Sequence, residues 1–347
     1  MPISVPSDYA TIQAAVDASS RDDEIIISDT YTGPMSANVS QNFLLFNASA
    51  SLTNIVLTIN STRYDAAFFL DLLGDSSISV IGGNYKDIIA GNDGSNRIDG
   101  RDGDDYLIGG GGNDTLIGGV GDDLLEGGAG ADSLSGGSGN DTFFFDGSAT
   151  SGDLLAAEFI DGGSGGDAIG GRSASGDYVL DFTTSTVRSI EIIYFNDPTN
   201  GTNATMKFLA SQIGNGLATD TNVRYYSPYF YTPDQVNCTL QIEMRGSTSL
   251  DLSNFDFSYA GDNDKVVVLG GAANEIIIGS DIRDILDGGA GSDSLYGGLG
   301  ADEHIGGDGP GIDYARYDDA NYGNLTIRLD APNLNTGAAA GDTYIGI

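Results

Sequence analysis

Asp87, Asn96, Asp105, Asp114, Asp123, Asp132 and Asp141 stand nine residues apart. Each fills the sixth slot of a unit Gly-Gly-x-Gly-x-Asp-x-(large apolar)-x that runs without a gap through residues 82–144. A second block from Gly270 places Glu275, Asp284, Asp293 and Asp302 in the same slot, and a looser copy follows with Asp313. One isolated copy, residues 162–170, carries Asp167. The glycines allow tight turns with φ > 0, which a side chain obstructs. Such turns aim backbone carbonyls inward, and the Asp adds a carboxylate. A mixture of carbonyl and carboxylate oxygens suits Ca2+, which takes six to eight oxygen ligands. Asp93 and Asp102, in the third slot of their repeats, add further candidate carboxylates.

These side chains need a scaffold with the same period. The eighth slot holds Ile89, Ile98, Leu107, Leu116, Leu125, Leu134 and Phe143. A short strand around each would point its apolar residue into a core, and repetition in register marks a stacked architecture. Two nonamers make one coil, so the loop of one repeat stacks on the loop two repeats later, with an ion between them. Ahead of the repeats, residues 7–18 read as a short amphipathic helix. Ser7 or Asp8 is placed to cap it, and Ile12, Ala15 and Val16 share one face. Short apolar runs at irregular spacing follow, around Ile26, Leu44, Val56, Phe69 and Val80. With no helical period between them they fit a right-handed parallel β-helix whose open end the helix plugs. The expected class is all-β: a parallel β-helix continuous with a calcium-binding parallel β-roll. The expected divisions are a helix cap with β-helix coils at 1–81 and a β-roll at 82–146. A β-helix-like middle region with insertions at 147–260, a second β-roll at 261–313 and a C-terminal segment at 314–347 complete them.

Composition narrows the function. Fifty acidic residues face fourteen basic ones, a net charge of −36. That charge repels phosphate, which argues against nucleic acid as a partner. Much of the acid sits at fixed slots beside glycines, where mutual repulsion and chain entropy oppose folding until cations bind. Cys238 is the only cysteine, so no intrachain disulfide forms. The N-terminus has no basic and apolar leader of the Sec type, its first positive side chain being Arg21. No apolar run of eighteen residues is present, so no membrane span is expected. The single histidine, His304, excludes HExxH and multi-histidine zinc chemistry, and its place in an apolar slot reads as a packed residue. Gly162, Ser164 and Gly166 match the letters of a nucleophile elbow, but they lie inside a nonamer without the strand–turn–helix context. Five aromatics between Tyr225 and Tyr231 read as a loop folded over the core or, alternatively, as a platform for sugar rings or a contact with another subunit.

The nonamers resemble the RTX, or haemolysin-type, calcium-binding repeats, which form a parallel β-roll. Carried onto this chain, the resemblance implies ions between Asp87 and Asp105, Asn96 and Asp114, Asp105 and Asp123, Asp114 and Asp132, and Asp123 and Asp141. In the second block it implies Glu275 with Asp293, Asp284 with Asp302, and Asp293 with Asp313. Roughly eight ions in all would neutralise about sixteen charges. RTX-like proteins leave the cell by type I secretion with an uncleaved C-terminal signal, which implies an extracellular protein. A structural, adhesive, surface-layer or matrix role with self-association is the leading expectation. The opening stretch also looks like that of β-helix proteins acting on polysaccharides, so the alternatives are a polysaccharide lyase or uronan epimerase, or a glycan-binding module. Residues 314–347 resemble a segment that leads into further repeats.

Overall fold

The computed structural model describes residues 68–147, 157–172, 177–196, 203–213, 217–226, 237–257, 263–317, 325–329 and 332–347. Before residue 68 it describes the elements Ile3–Val5, Ile12–Ala18, Glu24–Ile27, Ser36–Val39, Phe43–Ala48 and Ile55–Ile59, with residues 7, 10 and 11. Residues 227–231 of the aromatic run lie outside the described residues. The chain forms two compact units, Met1–Gly170 and Gly171–Ile347.

In the first unit, the strands alternate between two parallel sheets. One takes Ile3–Val5, Glu24–Ile27, Phe43–Ala48, Phe68–Gly74, Asp87–Ala90, Tyr106–Gly111, Leu124–Ala129, Thr142–Asp146 and Ala168–Arg172. The other takes Ser36–Val39, Ile55–Ile59, Ile78–Ile81, Arg97–Asp102, Thr115–Val120, Ser133–Ser138 and Phe159–Ser164. The coils before the repeats are unequal: Ile25 lies beside Phe46, and Phe43 beside Phe69. From Ile89 onward the register becomes constant, with Ile89, Leu107 and Leu125 stacked in one sheet and Ile98, Leu116 and Leu134 in the other. The irregular coils thus run into the β-roll through the same two sheets. The sheets also continue past Asp146, because Leu134 lies beside Ile160 and Gly137 beside Gly163. The isolated nonamer is a coil of this first roll.

The helix is shorter than the sequence pattern implies. It spans Ile12–Ala18, and Thr11 is its cap: the Ala14 N–H donates to Thr11 Oγ1 at 3.1 Å. A hydroxyl three residues before that N–H satisfies one of the helix's free donors, which fixes the start at Ile12 rather than near Ser7 or Asp8. Ile12, Ala15 and Val16 are buried as expected. The helix lies against Ile3–Val5 and Ser36–Val39, the first strand of each sheet, and so covers both exposed edges.

The second unit repeats the plan. One parallel sheet runs Tyr178–Asp181, Asn203–Leu209, Asn237–Glu243, Lys265–Leu269, Asp284–Asp287, Glu303–Ile305 and Thr343–Ile345. A second contains Ser249–Asp251, Ile276–Ile278, Ser294–Tyr296 and Tyr314–Ala315. Residues 210–212 form a single 3-10 turn, held by Gln212 Nε2 donating to the carbonyls of Phe182 and Ser185 at 3.1 Å. The C-terminal segment adds one more coil: Ala315 pairs beside Leu295, and Tyr344 beside His304.

Burial follows the period-two alternation of a strand. In the roll, slots six, eight and one point inward, as Asp114, Leu116 and Gly118 illustrate, while Thr115 and Ile117 face partly outward. Every eighth-slot residue from Ile89 to Phe143 is fully buried. The apolar column contributes roughly 2 kcal/mol per Leu or Ile withdrawn from water. The same alternation forces the sixth-slot carboxylates into the interior beside it.

Candidate metal centre

The sixth-slot side chains form two ladders in the first unit. After the first rung, each carboxylate accepts, through one oxygen, the backbone N–H of the sixth-slot residue one coil earlier. Asp87 N–H donates to Asp105 Oδ1 at 2.7 Å, Asp105 to Asp123 at 2.8 Å and Asp123 to Asp141 at 2.9 Å. On the other side, Asn96 N–H donates to Asp114 Oδ1 and Asp114 to Asp132 Oδ1, both at 2.7 Å. In the second unit, Glu275 N–H donates to Asp293 at 2.7 Å, and Asp284 to Asp302 at 2.9 Å. The looser copy keeps its place, since Asp293 N–H reaches Asp313 Oδ1 at 2.9 Å across a spacing of 20 residues instead of 18. All the pairs implied by the nonamer register are therefore side by side.

The second oxygen of these groups is different. Asp105, Asp114, Asp123, Asp141, Asp293 and Asp302 each bury Oδ2 without a hydrogen-bond partner, as Asp87 does Oδ1 and Glu275 does Oε2. A buried acceptor left without a donor costs about 1–3 kcal/mol, and more when charged. The ion pairs Lys207–Asp181 and Arg245–Glu243 do not involve a sixth-slot group. In the absence of metal, burial pushes the carboxyls of Asp87, Asp105, Asp114, Asp123 and Asp141 up, against the opposing pull of their backbone hydrogen bonds. Asp105 reaches about 8, with the charges of Asp87, Asp123 and Asp104 adding to the rise. Asp114 and Asp123 reach about 7, and Asp87 and Asp141 about 6. Glu275, Asp284 and Asp302 are raised by burial as well.

Glycines complete the cradle. A Cβ on Gly118 would collide with Asp123 Oδ2 and come within 2.6 Å of the Gly136 carbonyl oxygen. The next residue, Gly119, has φ +122°, a conformation that side chains oppose. Beside the orphaned oxygens of Asp105, Asp114, Asp123 and Asp293 there is in each case a glycine, with a glycine carbonyl oxygen of the next coil close by. Among the described residues no three His, Cys, Asp or Glu side chains gather as one cluster. A cation in this cradle would be held by one or two carboxylates with backbone carbonyls, the hard oxygen set that suits Ca2+.

The remaining candidates fall in different places. Asp167 joins the first ladder, accepting Asp141 N–H at 2.8 Å. Asp93, in a bend, and Asp102, at the end of its strand, are exposed and stand outside the buried rows. His304 is fully buried, stacked on Tyr344 at 5.4 Å, and burial lowers it to about 4.

Three rungs escape the nonamer register. Glu158 accepts Asp132 N–H at 2.8 Å, Asp264 accepts Cys238 N–H at 2.8 Å and Asp342 accepts Asp302 N–H at 2.9 Å. Two of them carry a legible signal: Glu158-Phe-Ile-Asp-Gly-Gly and Asp342-Thr-Tyr-Ile-Gly repeat the second half of the unit, acid-x-apolar-x-Gly. The fifth slot builds a further ladder in the opposite direction. Asp104 Oδ1 accepts Asp122 N–H at 3.0 Å, Asp122 accepts Asn140 N–H at 2.7 Å and Asn113 accepts Ala131 N–H at 3.0 Å. Its signal is the recurrent Asp, Asn or Ser just before the sixth slot.

Residues 81–116, 117–148 and 269–303 match the RTX calcium-binding nonapeptide repeat, in four copies. No curated protein matches the chain. The matched segments are the ones whose carboxylates form the ladders, and they bind calcium. These segments of the chain are RTX calcium-binding nonapeptide repeats, and they are set in parallel sheets.

Proposed function

We propose that this is a secreted protein whose β-rolls fold on meeting extracellular calcium, and that the folded solenoid serves as a structural or adhesive component of a cell surface or matrix. The observation that carries this reading is the set of buried carboxylate oxygens with no protein donor. Without a cation the rows carry an energetic penalty, and with Ca2+ the penalty becomes a source of stability. Roughly eight ions would be held along the rows, by Asp87, Asp105, Asp114, Asp123, Asp132, Asp141, Asp167, Glu275, Asp284, Asp293, Asp302 and Asp313 with nearby carbonyls. Calcium depletion inside the cell would keep the chain unfolded for export, and abundance outside would fold it by mass action.

His304, the only histidine of the sequence, is packed within the coil, so this reading gives its imidazole no catalytic part. The test is sedimentation velocity at micromolar protein with and without millimolar calcium. Calcium-dependent assemblies are expected. A clean monomer that binds glycans would replace this role with that of a glycan-binding module.

A further inference from the structure

Not every rung needs an ion. At Asn96 the second-oxygen position is an amide nitrogen, which donates to Asn92 Oδ1 at 3.0 Å and to the Gly94 carbonyl of its own loop. Its oxygen accepts Ile78 N–H at 3.3 Å, so partners on both sides fix the amide's orientation. Asn92 closes the loop further, accepting Gly94 N–H at 2.9 Å and donating to the Ser76 carbonyl at 3.1 Å. Both Asn side chains are buried. Here a neutral donor does for the loop oxygens what a cation would do.

Asp342, the last sixth-slot equivalent, reaches the same end by another route. Its Oδ1 accepts Asp302 N–H, and its Oδ2 accepts the Tyr317 hydroxyl. Tyr317 and Tyr344 share a hydrogen bond at 2.7 Å, and Asn335 Nδ2 donates to the Asp342 carbonyl at 3.4 Å. The carboxylate is fully buried with both oxygens satisfied by protein. Asp293 and Asp302, in the same unit, each keep an orphaned Oδ2.

We propose that Asn96 and the Tyr317–Asp342 pair are built-in substitutes for a calcium ion, so that one ladder of the first roll begins, and one of the second ends, on a rung that binds no metal. The inference rests on the calcium reading above and refines it: the register alone counts Asn96 as an ion site, whereas its hydrogen bonds do not. It also gives each roll one coil whose loops close without calcium.

Counting bound ions tests this. Equilibrium dialysis against radioactive calcium, at saturation, gives the number per chain for the wild type and three variants. Asn96→Asp replaces the donor amide by a second carboxylate oxygen and should raise the count by one. Asp342→Asn is nearly isosteric and should leave it unchanged. Asp293→Asn, at an orphaned rung, should lower it by at least one. An Asp342→Asn variant that folds and loses an ion, or an Asn96→Asp variant that folds and gains none, overturns the inference while leaving calcium binding intact. A wild type that takes up no calcium overturns the calcium reading itself, and this inference with it.

Discussion

Acid should replace calcium as the folding agent of the first roll. Asp87, Asp105, Asp114, Asp123 and Asp141 are all buried, and without metal their carboxyls titrate at about 6 to about 8 instead of 3.8. A carboxyl raised on folding holds its proton more tightly in the folded state. Between pH 3.8 and its folded value the folded chain therefore binds more protons than the unfolded one, and stability falls as pH rises. Moving from pH 8 to pH 5 returns about 1.4 kcal/mol at Asp87 and at Asp141, about 2.7 at Asp114 and at Asp123, and about 4 at Asp105. Together this is ~12 kcal/mol, and about half of that once solvent screening near the loops is allowed for. Domain stabilities are about 5–15 kcal/mol, so the effect decides whether the metal-free roll folds. The assay is far-ultraviolet circular dichroism with urea titration, on protein stripped by a chelating resin, from pH 8 to pH 5. The metal-free midpoint should rise on acidification. The calcium-loaded midpoint should fall, because protons compete with the ion for the same oxygens. A metal-free midpoint that stays flat or falls towards pH 5 refutes the reasoning.

Single substitutions probe the parts of the ladder separately. Asp123→Ala removes the acceptor of Asp105 N–H as well as an orphaned oxygen, so it should cost about 1–3 kcal/mol through the lost hydrogen bond alone and move the calcium midpoint upward. Asp93→Ala, at an exposed position, should stay within about 0.5 kcal/mol and leave that midpoint unchanged. Leu116→Ala, fully buried between Ile98 and Leu134, should cost about 2–5 kcal/mol in urea unfolding of the calcium-loaded protein. Arg101 takes the second slot, usually glycine, with φ +77°. Arg101→Gly relieves about 1–2 kcal/mol of backbone strain and adds about 0.4–1 kcal/mol of unfolded-state entropy, so it should stabilise by about 0.5–1 kcal/mol in the same titration.

Much of this was legible in the sequence because the roll has a fixed period. A nine-residue repeat with Asp two positions before an apolar residue places both on the inward face of one strand, and the stacking of Asp87, Asp105, Asp123 and Asp141 follows directly. Even Asp313 keeps its rung after the displacement that follows Pro310-Gly311. Legibility fails where chain is inserted between rungs. Glu158 and Asp264 lie 26 residues from their partners and Asp342 lies 40, because loops of no fixed length separate the strands. The strand pairs itself by its apolar and acidic inward residues, and nothing local records how long the excursion is. The fifth-slot ladder was hidden for another reason: Asp, Asn and Ser serve there equally as acceptors, so the position reads as variable. The helix start was misplaced because Ser7, Asp8 and Thr11 are all competent caps, and only the observed bond from Ala14 selects Thr11.

Calcium titration of metal-free protein at neutral pH, with bound ion and circular dichroism recorded on the same samples, tests the central claim most directly. The account predicts a chain with little β structure at the start, several ions taken up per chain, and β structure that grows in step with them. Magnesium, which demands compact octahedral geometry and retains its waters, should reproduce little of this. A spectrum already β-rich in verified metal-free protein at neutral pH, and unchanged as calcium is added, would contradict it.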